Sequence, residues 1–260
     1  MGRTVIVGDV HGCSAELDTL LDRVAFSEGD RLVFVGDLVA RGPDSLGVLD
    51  IARRTRAVIV RGNHEEKLLL WRAKKQSHAR GLGKRPEPLG RVHAKVAREL
   101  RAVDWVLLAS TPDFCDLPEH GARVVHAGVV PGIAFAHQER ETLMRIRVLS
   151  AHGVGARAAP TRGTRHANDK EREVLWGALY GGPPHIVFGH NAMQDPQLHA
   201  WATGLDTSCV YGGRLTALVL RAGQQIPRGR DVRDLLVWTR ARKAYWLGKK
   251  SIAWPARRVA

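Results

Sequence analysis

The sequence of 260 residues contains only three cysteines, Cys13, Cys115 and Cys209, which are odd in number and far apart. Such spacing does not suit a disulfide framework, so it predicts free thiols in a reducing cytoplasm. The sequence also lacks any apolar run near the roughly 18 residues that a membrane-spanning helix needs. The start, MGRTVIVGDV, has too short an apolar run for a signal peptide, and Ile6 replaces the Ser or Thr of a myristoylation site. We therefore expect a cytoplasmic protein with no membrane partner.

Acidic residues are scarce: 26 of them face 40 Lys and Arg, and the net charge is +14. A positive surface favours polyanions such as nucleotides and RNA, although the same charge also keeps a protein soluble. The excess lies in residues 72–101 and in residues 221–258, where eleven basic residues face two acidic ones. We predict one domain over residues 1–222 with a basic insertion at about 72–101. Residues 223–260 are predicted to be a basic tail packed on the domain as an amphipathic helix, with nucleic-acid binding as the alternative.

Apolar residues make up 44% of the chain, which predicts a globular fold. Three apolar strands, RTVIVGDVHG, DRLVFVGDL and RAVIVRGNHE, are each followed directly by a helical pattern. This repeated order of strand, turn and helix indicates an α/β fold built on a partly parallel sheet.

The remaining segments are assigned by composition and turn signals. Residues 76–90 and 150–170 are rich in glycine and polar or basic residues, and both are predicted to be loops. ARVVHAGVV and PHIVFGHNA read as two further strands. Residues 198–221 read as a β-hairpin that turns at Gly212 and Gly213.

Polar side chains follow five of the predicted strands, each beside a glycine. Taken singly, a histidine or a Gly-Asp pair at a strand end is commonly part of a turn. Strands of an open α/β sheet bind ligands at their carboxyl ends, so the whole set predicts convergence on one site. Oxygen and imidazole donors without sulfur suit Mn²⁺, Fe or Zn²⁺, and more than four ligands suit two ions. The residues are Asp9, His11, Asp37, Asn63, His64, His126 and His190.

The blocks GDVHG, GDLVARGP, RGNHE, VVHAG and FGH resemble those of the metallophosphoesterases, in particular the phosphoprotein phosphatase superfamily. Spacings of 28 residues from Asp9 to Asp37 and 26 from Asp37 to Asn63 fit that family. The match covers roughly residues 4–220, which makes the domain over 1–222 the catalytic domain. The resemblance implies an α/β fold of four αββα layers, with two mixed β-sheets flanked by helices and a two-metal centre at one rim.

The resemblance also implies roles for the residues at the strand ends. Arg41 would bind substrate phosphate and His64 would donate a proton to the leaving group, while a hydroxide bridging two divalent ions attacks phosphorus. Mn²⁺ is the favoured ion, with Co²⁺, Fe and Zn²⁺ as alternatives. By this resemblance Asp9 and His11 bind one ion, Asp37 bridges both, and Asn63, His126 and His190 bind the other.

Ala40 departs from the DRG motif of the eukaryotic-type protein phosphatases, whose Asp pairs with the histidine of the GNHE block. His64 is therefore expected to be a weaker acid, unless Glu65 or another carboxylate substitutes. A serine alkoxide needs a proton on leaving, whereas a nucleotide phosphate, with a second pKa of about 6, needs it much less. The substitution favours cleavage of a phosphoanhydride.

GDLVARGP and GLDTSCVYGGRLTAL also resemble the symmetrical diadenosine tetraphosphatases, the bacterial branch of the superfamily. TLMRIRVL resembles an arginine-bearing segment of that branch, which suggests Arg145 or Arg147 as a further phosphate contact; solvated surface charges are an equal alternative. The implied reaction converts a dinucleoside tetraphosphate into two nucleoside diphosphates. Tetraphosphate-capped RNA ends, bound through the basic surface, are an extension. The GNHE block and the basic tail depart from the branch pattern and leave substrate choice open.

Three functions are thus kept at this point. The first is a metal-dependent hydrolase of dinucleoside tetraphosphates. The second is a phosphomonoesterase that acts on phosphoserine, phosphothreonine or phosphotyrosine. The third is a nucleic-acid-binding protein with a relict metal site, which the intact ligand set disfavours.

Overall fold

The computed structural model describes residues 2–150 and 173–247. The strands are β1 (Thr4–Val7), β2 (Arg31–Phe34), β3 (Val58–Ile59), β4 (Phe114–Leu117), β5 (Ala122–Val125), β6 (Val148–Ser150), β7 (Glu173–Leu175), β8 (His185–Phe188), β9 (Gln197–Leu198), β10 (Ala202–Gly204), β11 (Arg214–Leu220) and β12 (Leu236–Arg240). The α-helices are α1 (Ser14–Arg23), α2 (Ser45–Arg54), α3 (Asn63–Ala79), α4 (Arg91–Glu99), α5 (Ala102–Ala109), α6 (Arg140–Arg145) and α7 (Trp176–Leu179).

The strands form two mixed five-stranded sheets and a small antiparallel pair, β6–β7. The first sheet has the order β12-β11-β1-β2-β3, in which β1, β2 and β3 are parallel and β11 and β12 are antiparallel to their neighbours. The second has the order β4-β5-β8-β10-β9, with β5, β8 and β10 parallel at its centre. In each sheet, the carboxyl ends of several parallel strands therefore lie at the same edge.

The alternation of side chains along the strands divides the core into layers. Val5 and Val7 of β1 pack with the first helices, whereas Ile6 between them packs in the cluster shared by the two sheets. In β8, Val187 joins that middle cluster, and Phe188 packs against Trp176 on the outer face. Successive strand residues point to opposite faces, so each sheet buries both of its faces. The α/β fold with two mixed sheets and flanking helices is confirmed.

The hairpin predicted over residues 198–221 is wrong. Residues Ala202–Gly204 form β10, which pairs in parallel with β8 in the second sheet. Residues Arg214–Leu220 form β11, which pairs antiparallel with β1 in the first sheet. The chain crosses between the sheets through a buried Leu205 and a 3-10 helix, and Gly212 has a φ of 95° at the end of that helix.

The helix predicted for the basic tail is also not observed in its described part, which ends at residue 247. A 3-10 helix over Gly229–Leu235 leads into β12, which pairs with β11 at the edge of the first sheet. The boundary predicted after residue 222 stays a prediction.

The basic insertion contributes helices as well as a loop. Helix α3 continues to Ala79, residues 83–90 carry no helix or strand, and α4 and α5 follow. The loop predicted at 150–170 lies, after its first residue, outside the described residues. Among the described helices, none has both the length and the apolar composition needed to cross a bilayer.

Candidate metal centre

The strand-end residues lie at the facing edges of the two sheets. Asp9 follows β1, Asp37 follows β2, and Asn63 with His64 opens α3 just after β3. His126 directly follows β5, and His190 comes two residues after β8 in the second sheet. Because these strands are parallel within each sheet, their carboxyl ends meet, as the sequence predicted.

Asp37 is the centre of this group. Its Oδ2 atom lies 3.5 Å from His126 Nε2, 3.6 Å from His11 Nε2 and 4.0 Å from His64 Nε2. Two triads share it, each with ligand atoms within 4.8 Å of one another. Their members are His11, Asp37 and His64 in one, and Asp37, His126 and His190 in the other. One carboxylate common to two triads is the arrangement that a bridging ligand requires.

Two of the histidine rings are oriented by the backbone behind them. His11 Nδ1 lies 3.1 Å from the Val39 carbonyl oxygen, and His126 Nδ1 lies 3.0 Å from that of Val35. A carbonyl accepts only from N–H, so Nδ1 carries the proton and Nε2 keeps its lone pair. This is how metal-binding histidines are commonly held, with the second ring nitrogen fixing the tautomer.

Asn63 and Asp9 occupy different places around the triads. The Asn63 Oδ1 atom lies 3.1 Å from His126 Nε2, so it faces the same space as that ring nitrogen. The Asp9 carboxylate accepts the backbone N–H of His190 with both oxygens, at 3.0 and 3.1 Å, and belongs to neither triad. Asp9 thus links the ends of β1 and β8. The close approach requires Gly189, where a Cβ would overlap the Asp9 carboxylate.

The backbone at the centre is held in an unusual conformation. His11, Asp37, Ala40, Arg41 and His190 have φ values of 48°, 52°, 72°, 68° and 64°. Non-glycine residues adopt this left-handed region rarely, and the conformation costs free energy that the surrounding structure must supply. Such strain at five neighbouring positions of one site indicates that the side-chain positions matter more than local stability.

Glu65 supplies part of that support. Its carboxylate accepts the backbone N–H groups of Asp37 at 2.9 Å, Leu38 at 2.9 Å and Val39 at 3.2 Å, and also that of Gly62 at 3.1 Å. The turn after β2 is therefore clamped to the start of α3 by a single side chain. With its oxygens used in this way, Glu65 does not replace the acid that is missing at Ala40.

Among the residues that the structure describes, no carboxyl group pairs with the Nδ1 atom of His64. Within the described part of the chain, its buried Nδ1 atom has no hydrogen-bond partner. The imidazole of His93, on α4, instead stacks on it, with ring centroids 4.8 Å apart and planes inclined by 27°. Sequence reasoning missed His93, although a signal was present: His93, Val96 and Leu100 recur at helical spacing, and all three are buried.

The electrostatics of the centre fit a cation. Burial raises the pKa of Asp37 to about 7 and raises that of Asp9 well above its usual range. Burial also lowers the pKa of His126 to about 4 and those of His11 and His190 well below their usual range. Divalent metal ions bind neutral imidazoles, and a bound cation would favour the ionised form of these buried carboxyls, so the residues present suit such ions.

Three arginines surround the centre at different depths. Arg41 Nη1 lies 2.7 Å from His11 Nε2, and its guanidinium lies 5.6 Å from the centroid of the Tyr211 ring. Arg147 is exposed. The pKa of His190 is lowered most by burial, then by His126, and then by the positive charge of Arg147. Arg145 is exposed at the end of α6, where its Nε lies 3.8 Å from Glu141.

A buried carboxyl outside the predicted set also lies beside the centre. Asp206, in the segment that crosses between the sheets, accepts the backbone N–H of Ser208 at 3.0 Å. The pKa of Asp9 is raised most by burial, and next by the negative charge of Asp206. The crossing segment therefore adds negative charge behind the predicted ligands.

The family of this chain follows from comparison with known proteins. The model of the calcineurin-like phosphoesterases matches residues 2–219, so the chain belongs to that family of hydrolases, which use divalent metal ions. The resemblance drawn from the sequence is thereby confirmed.

Two curated relatives carry a more specific name, bis(5'-nucleosyl)-tetraphosphatase PrpE [asymmetrical]. The protein of Halalkalibacterium halodurans is 30% identical over 227 residues, covering 82% of this chain and 88% of its own length. That of Anoxybacillus flavithermus is 28% identical over 229 residues, with the same coverage of both chains.

Solved structures agree with the assignment of this chain to the phosphoesterase family. A crystal structure of a "putative diadenosine tetraphosphatase" is 33% identical, covers 95% of both chains and superposes with a TM-score of 0.71. A metallophosphoesterase from Sphaerobacter thermophilus, 13% identical with a TM-score of 0.52, shares the fold, and the match covers 92% of this chain and 87% of that one.

Proposed function

We propose that this protein hydrolyses dinucleoside tetraphosphates at a pair of divalent ions. The observation that carries the proposal is the position of Asp37, whose Oδ2 atom faces the Nε2 atoms of three histidines at 3.5–4.0 Å. The names of the relatives support the choice of substrate. The proposed ligands are Asp9, His11, Asp37, Asn63, His126 and His190.

The chain's own residues would each have a defined task. When bound, the ions would supply a water that ionises near neutral pH and positive charge that stabilises the reacting phosphate. Arg41 would hold a non-bridging phosphate oxygen through its guanidinium fork, since it already lies against His11. His64 would donate a proton to the departing oxygen, and the position of its Nε2 atom, 4.0 Å from Asp37 Oδ2, supports this role.

His64 Nδ1 has no hydrogen-bond partner in the described ranges 2–150 and 173–247, and this supports an anhydride substrate. An imidazole without a carboxylate behind it protonates a leaving group less readily, and a nucleotide phosphate leaves without strong assistance. The position of the cut has two candidates. The relatives' names favour an asymmetrical cut, which would release ATP and AMP from diadenosine tetraphosphate, whereas the resemblance of residues 204–218 favours two ADP.

Mn²⁺ is the proposed ion, and the oxygen and imidazole donors without sulfur suit it, as they also suit Fe and Zn²⁺. Reconstitution of chelator-treated protein with Mn²⁺, Co²⁺, Fe²⁺ or Zn²⁺, followed by measurement of bound metal and of turnover, tests this choice. A cytoplasmic location is also proposed, and it is supported by three buried cysteines that form no disulfide.

The central experiment offers purified Mn²⁺-loaded protein diadenosine tetraphosphate and a phosphoserine peptide, with products separated by ion-exchange chromatography. We expect nucleotide products from the first substrate and little phosphate from the second, and the product pair fixes the position of the cut. Faster release of phosphate from the peptide would establish a phosphomonoesterase instead.

Tetraphosphate-capped RNA ends are a proposed extension of the same activity, supported by the net charge of +14. A capped oligonucleotide and diadenosine tetraphosphate, compared at several salt concentrations, test it. If the cap is cleaved no faster than free dinucleotide at any salt concentration, RNA is not a preferred substrate.

A further inference from the structure

A cavity of about 870 Å³ opens beside Arg41, outside the cluster of predicted metal ligands. It is bounded by helix α4, by residues 41–45 after β2, and by residues 243–246 after β12. We call it the basic groove. Because Arg41 belongs to its wall and also lies 2.7 Å from His11, the groove borders the centre.

Positive charge dominates the walls of the basic groove. Lys95 and Glu99 face each other at 3.8 Å, and Glu99 is the one carboxylate among the lining residues in the described part of the chain. Such a surface attracts a chain of phosphates. The lining cations are Arg41, Arg91, Lys95, Arg98 and Lys243.

Two aromatic residues complete the wall opposite α4. Tyr245 and Trp246 line the groove and pack partly against the core between the first sheet and its helices. Their backbone N–H groups both donate to the Val210 carbonyl, at 2.9 and 3.0 Å, and the Tyr245 hydroxyl donates to Glu16 at 2.8 Å. These bonds hold the backbone of both residues and the Tyr245 ring in place, so this part of the wall is formed before a ligand binds.

We propose that the basic groove binds the nucleotide portion of the substrate that extends away from the cleaved phosphate. Arg91, Lys95 and Lys243 would contact its phosphates, and Trp246 would stack on its base. The volume lies within the roughly 300–1,000 Å³ typical of small-ligand pockets. The inference rests on the proposed function and deepens it, because it names what would distinguish a dinucleotide from a small phosphate ester.

The groove also explains why a small phosphate ester would be a poorer substrate. An ester such as p-nitrophenyl phosphate reaches Arg41 and the centre but is too short to gain contacts along α4. Binding energy from the remote part of a dinucleotide can position the reacting phosphate. The ratio of kcat/KM for diadenosine tetraphosphate to that for p-nitrophenyl phosphate therefore measures the contribution of the groove.

The test uses full-length Mn²⁺-loaded protein and the variants Trp246→Ala, Trp246→Phe and Arg91→Ala. Lys74→Ala is the matched control, because Lys74 is exposed on α3 and does not line the groove. Two quantities are measured: the ratio of kcat/KM values, and calorimetric binding of adenosine 5'-(α,β-methylene)diphosphate, which resists hydrolysis. Thermal melting confirms that each variant is folded. If Trp246→Ala does not fold, the measurements are made on Trp246→Phe and Arg91→Ala.

We expect Trp246→Ala to lower both the ratio and the affinity for the analogue by about 5- to 150-fold, the usual range for one stacked base. Trp246→Phe should recover most of this loss, and Arg91→Ala should weaken binding most at low salt. Lys74→Ala should leave both quantities within twofold of wild type.

The outcomes separate the two proposals. If the wild type cleaves diadenosine tetraphosphate but the groove variants behave like Lys74→Ala, the groove inference is overturned and the proposed function stands. If the wild type cleaves only p-nitrophenyl phosphate, the proposed function fails, and analogue binding alone decides whether a nucleotide site exists. If a 5'-hydroxyl RNA oligonucleotide displaces the analogue at lower concentration than ATP does, the groove is an RNA site and the proposal is wrong.

Discussion

The candidate centre and the basic groove are adjacent, yet they are constructed in opposite ways. The centre is formed by short side chains at strand ends, buried and oriented by backbone carbonyls, as His11 and His126 show. The groove is lined by long cationic side chains, such as Arg91 and Lys95, that are exposed on one helix. Positions on strand ends are set by the whole sheet, whereas exposed cations adapt to the ligand. We therefore expect changes in the centre to affect every substrate and changes in the groove to affect selectivity.

Helix α4 connects the two regions. Its buried face carries His93, which stacks on His64, and its exposed face carries the groove cations two residues away on either side. Residues on opposite faces of one helix contact different surroundings. The buried face of α4 therefore supports the centre, and its exposed face supports the groove. Substitutions on the two faces of α4 should thus have different kinetic effects. Equal effects would contradict the contrast between the centre and the groove.

The largest effect is expected from Asp37→Asn. The change preserves the size of the side chain but removes the charge that two triads share, so metal affinity and turnover should both fall. We expect turnover of diadenosine tetraphosphate and of p-nitrophenyl phosphate to drop by more than about 10³-fold. Asp44→Asn is the control, because Asp44 caps α2 through its side chain and asparagine caps equally well. Retention of two metal ions per chain, measured by mass spectrometry, would contradict the bridging role.

The second largest effect is expected from His64→Ala. Loss of a general acid lowers turnover by about 10²-fold or more. The loss should be greater for a phosphoserine peptide than for diadenosine tetraphosphate, because the alkoxide is the poorer leaving group. Equal losses on the two substrates would show that His64 serves mainly as a metal ligand, as its place in the first triad also allows.

His93 is expected to act as a positioning residue, with a smaller effect. An aromatic pair of this kind contributes about 0.5–1.5 kcal/mol, so His93→Ala should lower kcat by about 2- to 13-fold. KM should change little, and His93→Phe should restore most of the rate because it retains the stack. The discriminating measurement is a double-mutant cycle: in a His64→Ala background, loss of His93 should cost nothing further. An equal cost in both backgrounds would indicate a purely structural role.

The convergence of these side chains was predictable from the sequence because its signal is local. Each predicted ligand stands within a few residues of a strand end, and parallel strands bring such ends together without further information. The choice of strand partner is not local. Gly212 and Gly213 gave a turn signal, but pairing of β10 with β8 and of β11 with β1 depends on which apolar faces meet in the folded sheets. The strand in the basic tail was missed for the same reason, since an edge strand has a weak pattern of its own.

The smallest effect on activity is expected from His185→Gln, which lies in β8 away from both regions. Burial lowers the pKa of His185 from 6.5 to about 4, and its Nε2 lies 2.9 Å from Thr203 Oγ1. The unfolded chain therefore binds the proton more readily, so this residue destabilises the fold as pH falls from about 6.5 to 4, by up to about 3 kcal/mol in total. His185→Gln should flatten that dependence in urea unfolding curves, whereas His137→Gln, at an exposed position, should not. An unchanged slope between pH 6.5 and 4 for His185→Gln would show that His185 does not contribute to the loss of stability in acid.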